Sequence, residues 1–194
     1  MQDLKVALVQ TQQFWEDKSK NLKHFEQHLA GIQESVDLIV LPEMFNTSFS
    51  MNAQGIAEKM DGPSIDWLKQ QAATHKCAIT ASLVIEEDQR YYNRMLVVAE
   101  TGVIAQYDKR HLFRMANEDQ HYTPGTNRVV LNLKGWKILL QVCYDLRFPV
   151  FSRNKTIGEQ TEYNAAIYIA NWPEKRADIW STLLRARAIE NQVY

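Results

Sequence analysis

Three ionisable residues of complementary chemistry each end an apolar stretch: Glu43 follows "DLIVLP", Lys109 follows "VIAQYD" and Cys143 follows "ILLQV". A carboxylate can accept a thiol proton, a thiolate can attack an electrophilic carbon, and a lysine ammonium can stabilise the oxyanion that develops. Each residue also has an ordinary structural reading, a strand-end ion pair for Glu43 and Lys109 and small apolar packing for Cys143. Position favours chemistry. Ligands collect beyond the carboxyl ends of strands in a twisted sheet, and a helix start after Cys143 would stabilise a thiolate.

These residues can meet only on strands that end together. "LKVALVQ" (4–10) reads as a buried first strand, residues 21–32 carry apolar positions near helical spacing, and "VDLIVLPE" (36–43) is a second strand. A βαβ opening of this kind favours an α/β fold. A helix is predicted over 64–76 behind the turn "DGPS", followed by strands over 77–85, 91–98 and 103–107. "RVVLNL" and "WKILLQV", joined by "KG", form a hairpin that leads into Cys143. A strand over 165–172 and a helix over 178–191 follow. Neither a repeat nor a linker divides the chain, so residues 1–194 read as a single domain.

With 194 residues, 45% hydrophobic, the chain can bury one sizeable core. A formal net charge of −1 gives no drive toward nucleic acid or an anionic membrane. The local cluster "DKRHLFR" (108–114) is the basic exception, with a solvated loop as its structural alternative. The first residues lack the pattern of a secretion signal, and no apolar run approaches ~18 residues, so a cytoplasmic, soluble protein is expected. Two cysteines, Cys77 and Cys143, without CxxC spacing suggest neither a disulfide framework nor a zinc site, and Cys77 reads as core. The histidines at 24, 28, 75, 111 and 121 lack the surroundings of a papain-like base. His24 and His28 lack the HExxH order and a third metal ligand, so they read as a surface or packed pair.

"LPEMF", "YDKRHLF" and "VCYDLRFP", in this order, resemble the three signatures of the nitrilase superfamily, the carbon–nitrogen hydrolases. The resemblance continues through "YIANWP" and "RARAIENQ", spans essentially the whole chain, and is strongest to the bacterial ω-amidase (2-oxoglutaramate amidase) branch. It implies an αββα sandwich that hydrolyses the ω-amide of a short 2-oxo dicarboxylic acid monoamide, such as 2-oxoglutaramate or 2-oxosuccinamate. Products are the acid and ammonia, formed through a cysteine thioester without metal or organic cofactor. By motif, Cys143 would be the nucleophile, Glu43 the general base and Lys109 the oxyanion stabiliser, with the Tyr144 backbone N–H as a second oxyanion donor. Glu118, in "EDQHYTPG", matches the auxiliary glutamate in a loop before a "PG" turn; its alternative is a solvated carboxylate.

Asn171, Trp172 and Pro173 of "ANWP" match the family's pocket wall and are candidate substrate contacts. Phe45 and Phe113 flank catalytic candidates and are expected either in the pocket or in the core. Arg147 suits either a substrate carboxylate or, the favoured reading, an internal pair with an acid such as Asp145. Arg110 and Arg114 would raise the local potential for anionic substrates. The resemblance also implies a homodimer or higher homo-oligomer at full length. Related chains continue beyond "IENQVY", so this one is expected to lack the C-terminal part of the sandwich and to expose apolar surface. A broader aliphatic amidase or nitrilase is the alternative enzyme, and an inactive nitrilase-like binding protein the alternative class; ammonia release dependent on Cys143 separates the two classes.

Overall fold

The computed structural model describes residues 2–194. Its first sheet is built from β1 (Val6–Leu8), β2 (Leu38–Val40), β3 (Ala78–Glu87), β4 (Arg90–Ala99) and β5 (Gly102–Asp108), in that order. β1, β2 and β3 are parallel, while β3, β4 and β5 are antiparallel neighbours. The second sheet contains β6 (Val130–Leu133), β7 (Trp136–Val142) and β10 (Ala165–Ile169), ordered β10-β7-β6. β8 (Thr156–Ile157) and β9 (Gln160–Thr161) make a small separate ribbon.

Period-two alternation sorts the strand residues onto two faces. On one face Ile39, Ile79, Ala81, Leu83, Ile85, Leu96 and Val98 pack against Phe25 and Leu29 of α1 (Lys18–Ala30) and Ile65, Leu68 and Ala72 of α3 (Pro63–His75). On the other, Leu38, Val40, Met95, Val97 and Tyr107 meet Leu131, Ile138, Leu140, Val142 and Ile169 of the second sheet. β3 and β4 are therefore buried on both faces, which explains their nearly continuous apolar sequence. Between α1 and α3 in chain order, the short α2 (Ala53–Ile56) lies in the loop after β2. The later helices are α4 (Glu118–His121), α5 (Pro149–Ser152) and α6 (Ala177–Asn191). α6 covers the outer side of the second sheet, where Leu184 and Ala188 share a cavity with Tyr163, Ala166 and Tyr168. The layers are thus helix, sheet, sheet, helix, the αββα sandwich expected from the resemblance.

One reading changes. β1 is an edge strand rather than a buried one, with Val6 41% and Leu8 76% exposed. Both share the inter-sheet face with Leu38 and Val40 through parallel register, but the described second sheet, three strands against five, does not extend over them. His24 and His28 share the Thr11 hydroxyl through their Nε2 atoms, at 2.8 and 3.1 Å. Among the described residues no helix is long and apolar enough to cross a membrane.

The inter-sheet core makes a direct test. Leu140→Ala should lower stability by about 2–5 kcal/mol, the range for a buried leucine truncated beside a rigid sheet. Leu8→Ala should change it by no more than about 0.5 kcal/mol. Urea unfolding midpoints of the two variants check the difference.

Candidate active site

The carboxyl ends of β2, β5, β7 and β10 open on the same side of the sandwich, and the candidate residues gather there. Glu43 stands in the turn after β2, where left-handed Met44 (φ 46°) reverses the chain and donates its N–H to Ser82 Oγ at 2.9 Å. Lys109 directly follows β5. Glu118 opens α4, a helical turn where a loop was expected. The turn holding Glu118 is pressed onto the end of β5 by Gly125, whose N–H donates to the Lys109 carbonyl at 2.9 Å. A Cβ on Gly125 would come within 2.1 Å of the Asp108 carbonyl oxygen, so the close approach requires glycine.

Lys109, Glu43 and Glu118 form a buried ion cluster. Lys109 Nζ donates to Glu43 Oε1 and to both Glu118 oxygens, each at 2.9 Å. Glu43 also accepts from Asn93 Nδ2 (2.8 Å) and from the Asn171 backbone N–H (2.9 Å), and Glu118 from the Phe113 N–H (2.5 Å). Burial opposes the Lys109 charge, but the two carboxylates outweigh it and hold its pKa above that of free lysine. Burial raises the Glu118 pKa, with Lys109 opposing and Glu43 reinforcing the shift. Phe49 covers the ammonium, its ring centre 5.1 Å from Nζ.

Cys143 occupies a sharp elbow. It leaves β7 with φ of 48°, in the left-handed region that non-glycine residues rarely enter, and begins a 3-10 turn over Cys143–Arg147. Asp145 fastens this turn by accepting from the Val142 N–H (3.0 Å), Tyr107 Oη (2.7 Å), and the backbone N–H and Nδ1 of His111 (2.9 and 2.7 Å). Burial pushes the Cys143 thiol well above its usual pKa and the neighbouring Glu43 charge pushes it further, against a smaller opposing pull from Lys109. The resting sulfur is therefore a protonated thiol beside a carboxylate. Cys77, as expected, lies in the helix-side core, its pKa pushed up to about 11 chiefly by burial.

Beside Cys143 is a cavity of about 90 Å³ lined by Phe49, Phe113, Tyr144, Arg147, Asn171, Trp172, Pro173 and Arg176. Of the two positions open to Phe113, cavity or core, the structure places it on the cavity, together with Asn171, Trp172 and Pro173. Asn171, however, uses its side-chain Nδ2 on Gln13 Oε1 (2.8 Å) and Ser48 Oγ (3.0 Å), so its donors are already engaged within the protein. Phe45 is core, not pocket: the left-handed turn at Met44 sends it to the helix side, against Phe25 and Trp67. The internal pair expected for Arg147 does not form, because Asp145 is filled by Tyr107, His111 and Val142. Arg147 is instead exposed, 5.5 Å above the Trp172 ring. Arg110 is bound to the Gly125 carbonyl and Arg114 pairs loosely with Asp119, so the cations on the cavity are Arg147 and Arg176. Gln13, Phe49, Asn93 and Arg176 carried no recognisable local signal.

The carbon–nitrogen hydrolase family model matches residues 5–194. The chain is 49% identical over 194 residues to the Omega-amidase YafV of Yersinia enterocolitica, covering all of this chain and 73% of that protein. It is 33% identical to the 2-oxoglutaramate amidase of Bacillus subtilis, over 91% of this chain and 68% of the relative. Among solved structures, a CN-hydrolase superfamily protein from Xanthomonas campestris with an arsenic adduct in its active site superposes with a TM-score of 0.96. That match is 43% identical and covers 100% of this chain and 74% of the other.

Burial raises both thiols, so selectivity between them is expected from two features that Cys77 lacks, the open cavity at Cys143 and the Glu43 carboxylate beside it as proton acceptor. At pH 7 iodoacetamide should modify Cys143 and spare Cys77, and Glu43→Gln should slow the Cys143 reaction at least about ten-fold by removing the proton acceptor. Peptide mass spectrometry reads both sites. Equal labelling of the two cysteines, or an unchanged rate in the Gln variant, would contradict this picture.

Proposed function

The chain belongs to the carbon–nitrogen hydrolase family, and we propose that it hydrolyses the ω-amide of a short 2-oxo dicarboxylic acid monoamide, with 2-oxoglutaramate and 2-oxosuccinamate as leading substrates. The observation that carries this reading is the small cavity in which a thiol beside a carboxylate is accompanied by two guanidinium groups, Arg147 and Arg176. Similarity to the ω-amidase and 2-oxoglutaramate amidase relatives supports it.

In this reading Glu43 takes the Cys143 proton as Sγ attacks the amide carbon. The carbonyl oxygen becomes an oxyanion held by Lys109 Nζ and the Tyr144 backbone N–H. When the tetrahedral adduct collapses, the C–N bond breaks, Glu43 returns the proton to nitrogen, and ammonia leaves. Cys143 retains the acyl group as a thioester. Water deprotonated by Glu43 then attacks the thioester carbon, the C–S bond breaks, and acid and free thiol are released. Glu118 positions the ammonium through both its oxygens, matching the role of an auxiliary carboxylate. Arg147, the better exposed of the two cavity cations, is the proposed anchor for the free carboxylate, so binding energy remote from the amide orients the reacting carbon.

Values of kcat/KM for 2-oxoglutaramate, glutamine, butyramide and a matched nitrile test the substrate assignment. The 2-oxo acid should lead butyramide by at least about ten-fold, with kcat contributing to the difference. Arg147→Ala should narrow that lead. Lys109→Ala should lower kcat by about 10²–10³, the usual effect of losing an oxyanion donor. If butyramide or the nitrile equals the 2-oxo acid, a broader aliphatic amidase or nitrilase replaces the ω-amidase reading.

A further inference from the structure

Asn93 lies inside β4, in the stretch "YYNRML", and is 1% exposed. It touches all three members of the ion cluster. Side-chain Nδ2 donates to Glu43 Oε1 at 2.8 Å and reaches Glu118 Oε1 at 3.5 Å. Its backbone carbonyl accepts from the Lys109 N–H at 3.0 Å. The other arm of the same amide, Oδ1, is buried without a partner.

An unpaired buried acceptor is destabilising, and such groups persist where a stronger demand fixes their orientation. Here the demand is visible. Rotating the amide by half a turn would direct Oδ1 at two carboxylates, exchanging an attractive donor contact for repulsion. The amide orientation is therefore dictated by the acids, at the expense of its own oxygen.

We propose that Asn93 is a positioning residue for the reaction, its amide holding Glu43 and Glu118 beside Lys109 and favouring the ionised carboxylate that accepts the Cys143 proton. The proposal rests on the roles assigned above to Glu43, Lys109 and Cys143. Two neighbouring carboxylates disfavour each other's ionisation, and one lysine must serve both. The titratable groups facing them are Lys109 after β5, Cys143 after β7 and the Tyr122 phenol after α4. Asn93 adds a neutral donor directed at the acids from β4, between the strands that carry Glu43 and Lys109.

Asn93→Leu is nearly isosteric, removes both the donor and the unpaired oxygen, and retains the backbone bond to Lys109. Alkylation of Cys143 by iodoacetamide and kcat/KM for 2-oxoglutaramate are measured against pH, with thermal unfolding as the control for folding. A donor lost from an anion raises the pH at which that anion is protonated. The acid limb of both profiles should therefore move up by about half a pH unit or more. At pH 7 kcat/KM should fall at least about ten-fold. Asn93→Ser, which restores a shorter donor, should recover part of both effects, and Asn93→Ala carries the same comparison if the leucine variant does not fold. A folded variant with an unmoved acid limb, even at reduced rate, overturns the proposal and leaves Asn93 as packing. Wild-type protein in which Cys143 resists alkylation and the amide is not hydrolysed instead overturns the underlying assignments, and this one with them.

Discussion

Burying one lysine ammonium between two carboxylates is the constraint on which the rest of the site depends. Lys109, Glu43 and Glu118 are at most 1% exposed, and an isolated ion at that depth would shed its charge. Each is retained by the others and by donors directed at the carboxylates: the Asn93 amide, the Asn171 N–H and the Phe113 N–H. Removing one member of such a cluster leaves a partner uncompensated, at a cost of about 3–5 kcal/mol. The turn after β2, the end of β5, the first turn of α4 and the end of β10 are thereby fixed relative to one another by chemistry, beyond what apolar packing of the two sheets requires.

The elbow at Cys143 is secured by a second carboxylate that takes no part in that cluster. A left-handed non-glycine residue stores about 1–3 kcal/mol of backbone strain and persists only when its surroundings over-determine it. Asp145 supplies the restraint. It binds the end of β7 through Val142, and the end of β5 through Tyr107 and His111. His111 is itself clamped by a parallel stack on Phe148, with ring centres 3.8 Å apart. The strand that delivers Cys143 and the strand that delivers Lys109 are thus registered to each other across the two sheets.

The parts legible in the sequence were those governed by local periodicity or by motif. β7 runs from Trp136 to Val142 as read, and the central strands and α3 differ from expectation by one to three residues at their ends. Glu43, Lys109 and Cys143 were visible because each ends an apolar run. Failures arose where side-chain direction depends on backbone geometry that composition does not encode. A single positive φ at Met44 separates Phe45 from its neighbour Glu43, and the four donors collected by Asp145 leave Arg147 free to face the cavity. Asn93 and Gln13 were invisible for a different reason. Both act through contacts spanning 25 or more residues of sequence, and nothing in "YYNRML" or "TQQFW" marks their partners.

The charge balance of the site bears on substrate choice. A substrate carboxylate entering the cavity approaches Glu43 and Glu118, which together carry more potential negative charge than Lys109 offsets. Long-range attraction to the lysine therefore cannot by itself recruit an anion. The cations able to do so are the guanidinium groups that line the cavity wall, Arg147 against Trp172 and Arg176 against Phe113. Both rest on aromatic faces, which hold a guanidinium in place while leaving its N–H edge available. In the proposed reaction the anion is attracted at the wall and repelled near the acids, so a dicarboxylic monoamide has one favourable orientation, with its neutral amide toward Cys143. A neutral amide of the same length experiences neither force. In that reading selectivity arises from the electrostatic gradient across the cavity, and Glu43, the proposed proton carrier, acts with Glu118 to exclude the wrong end of the substrate.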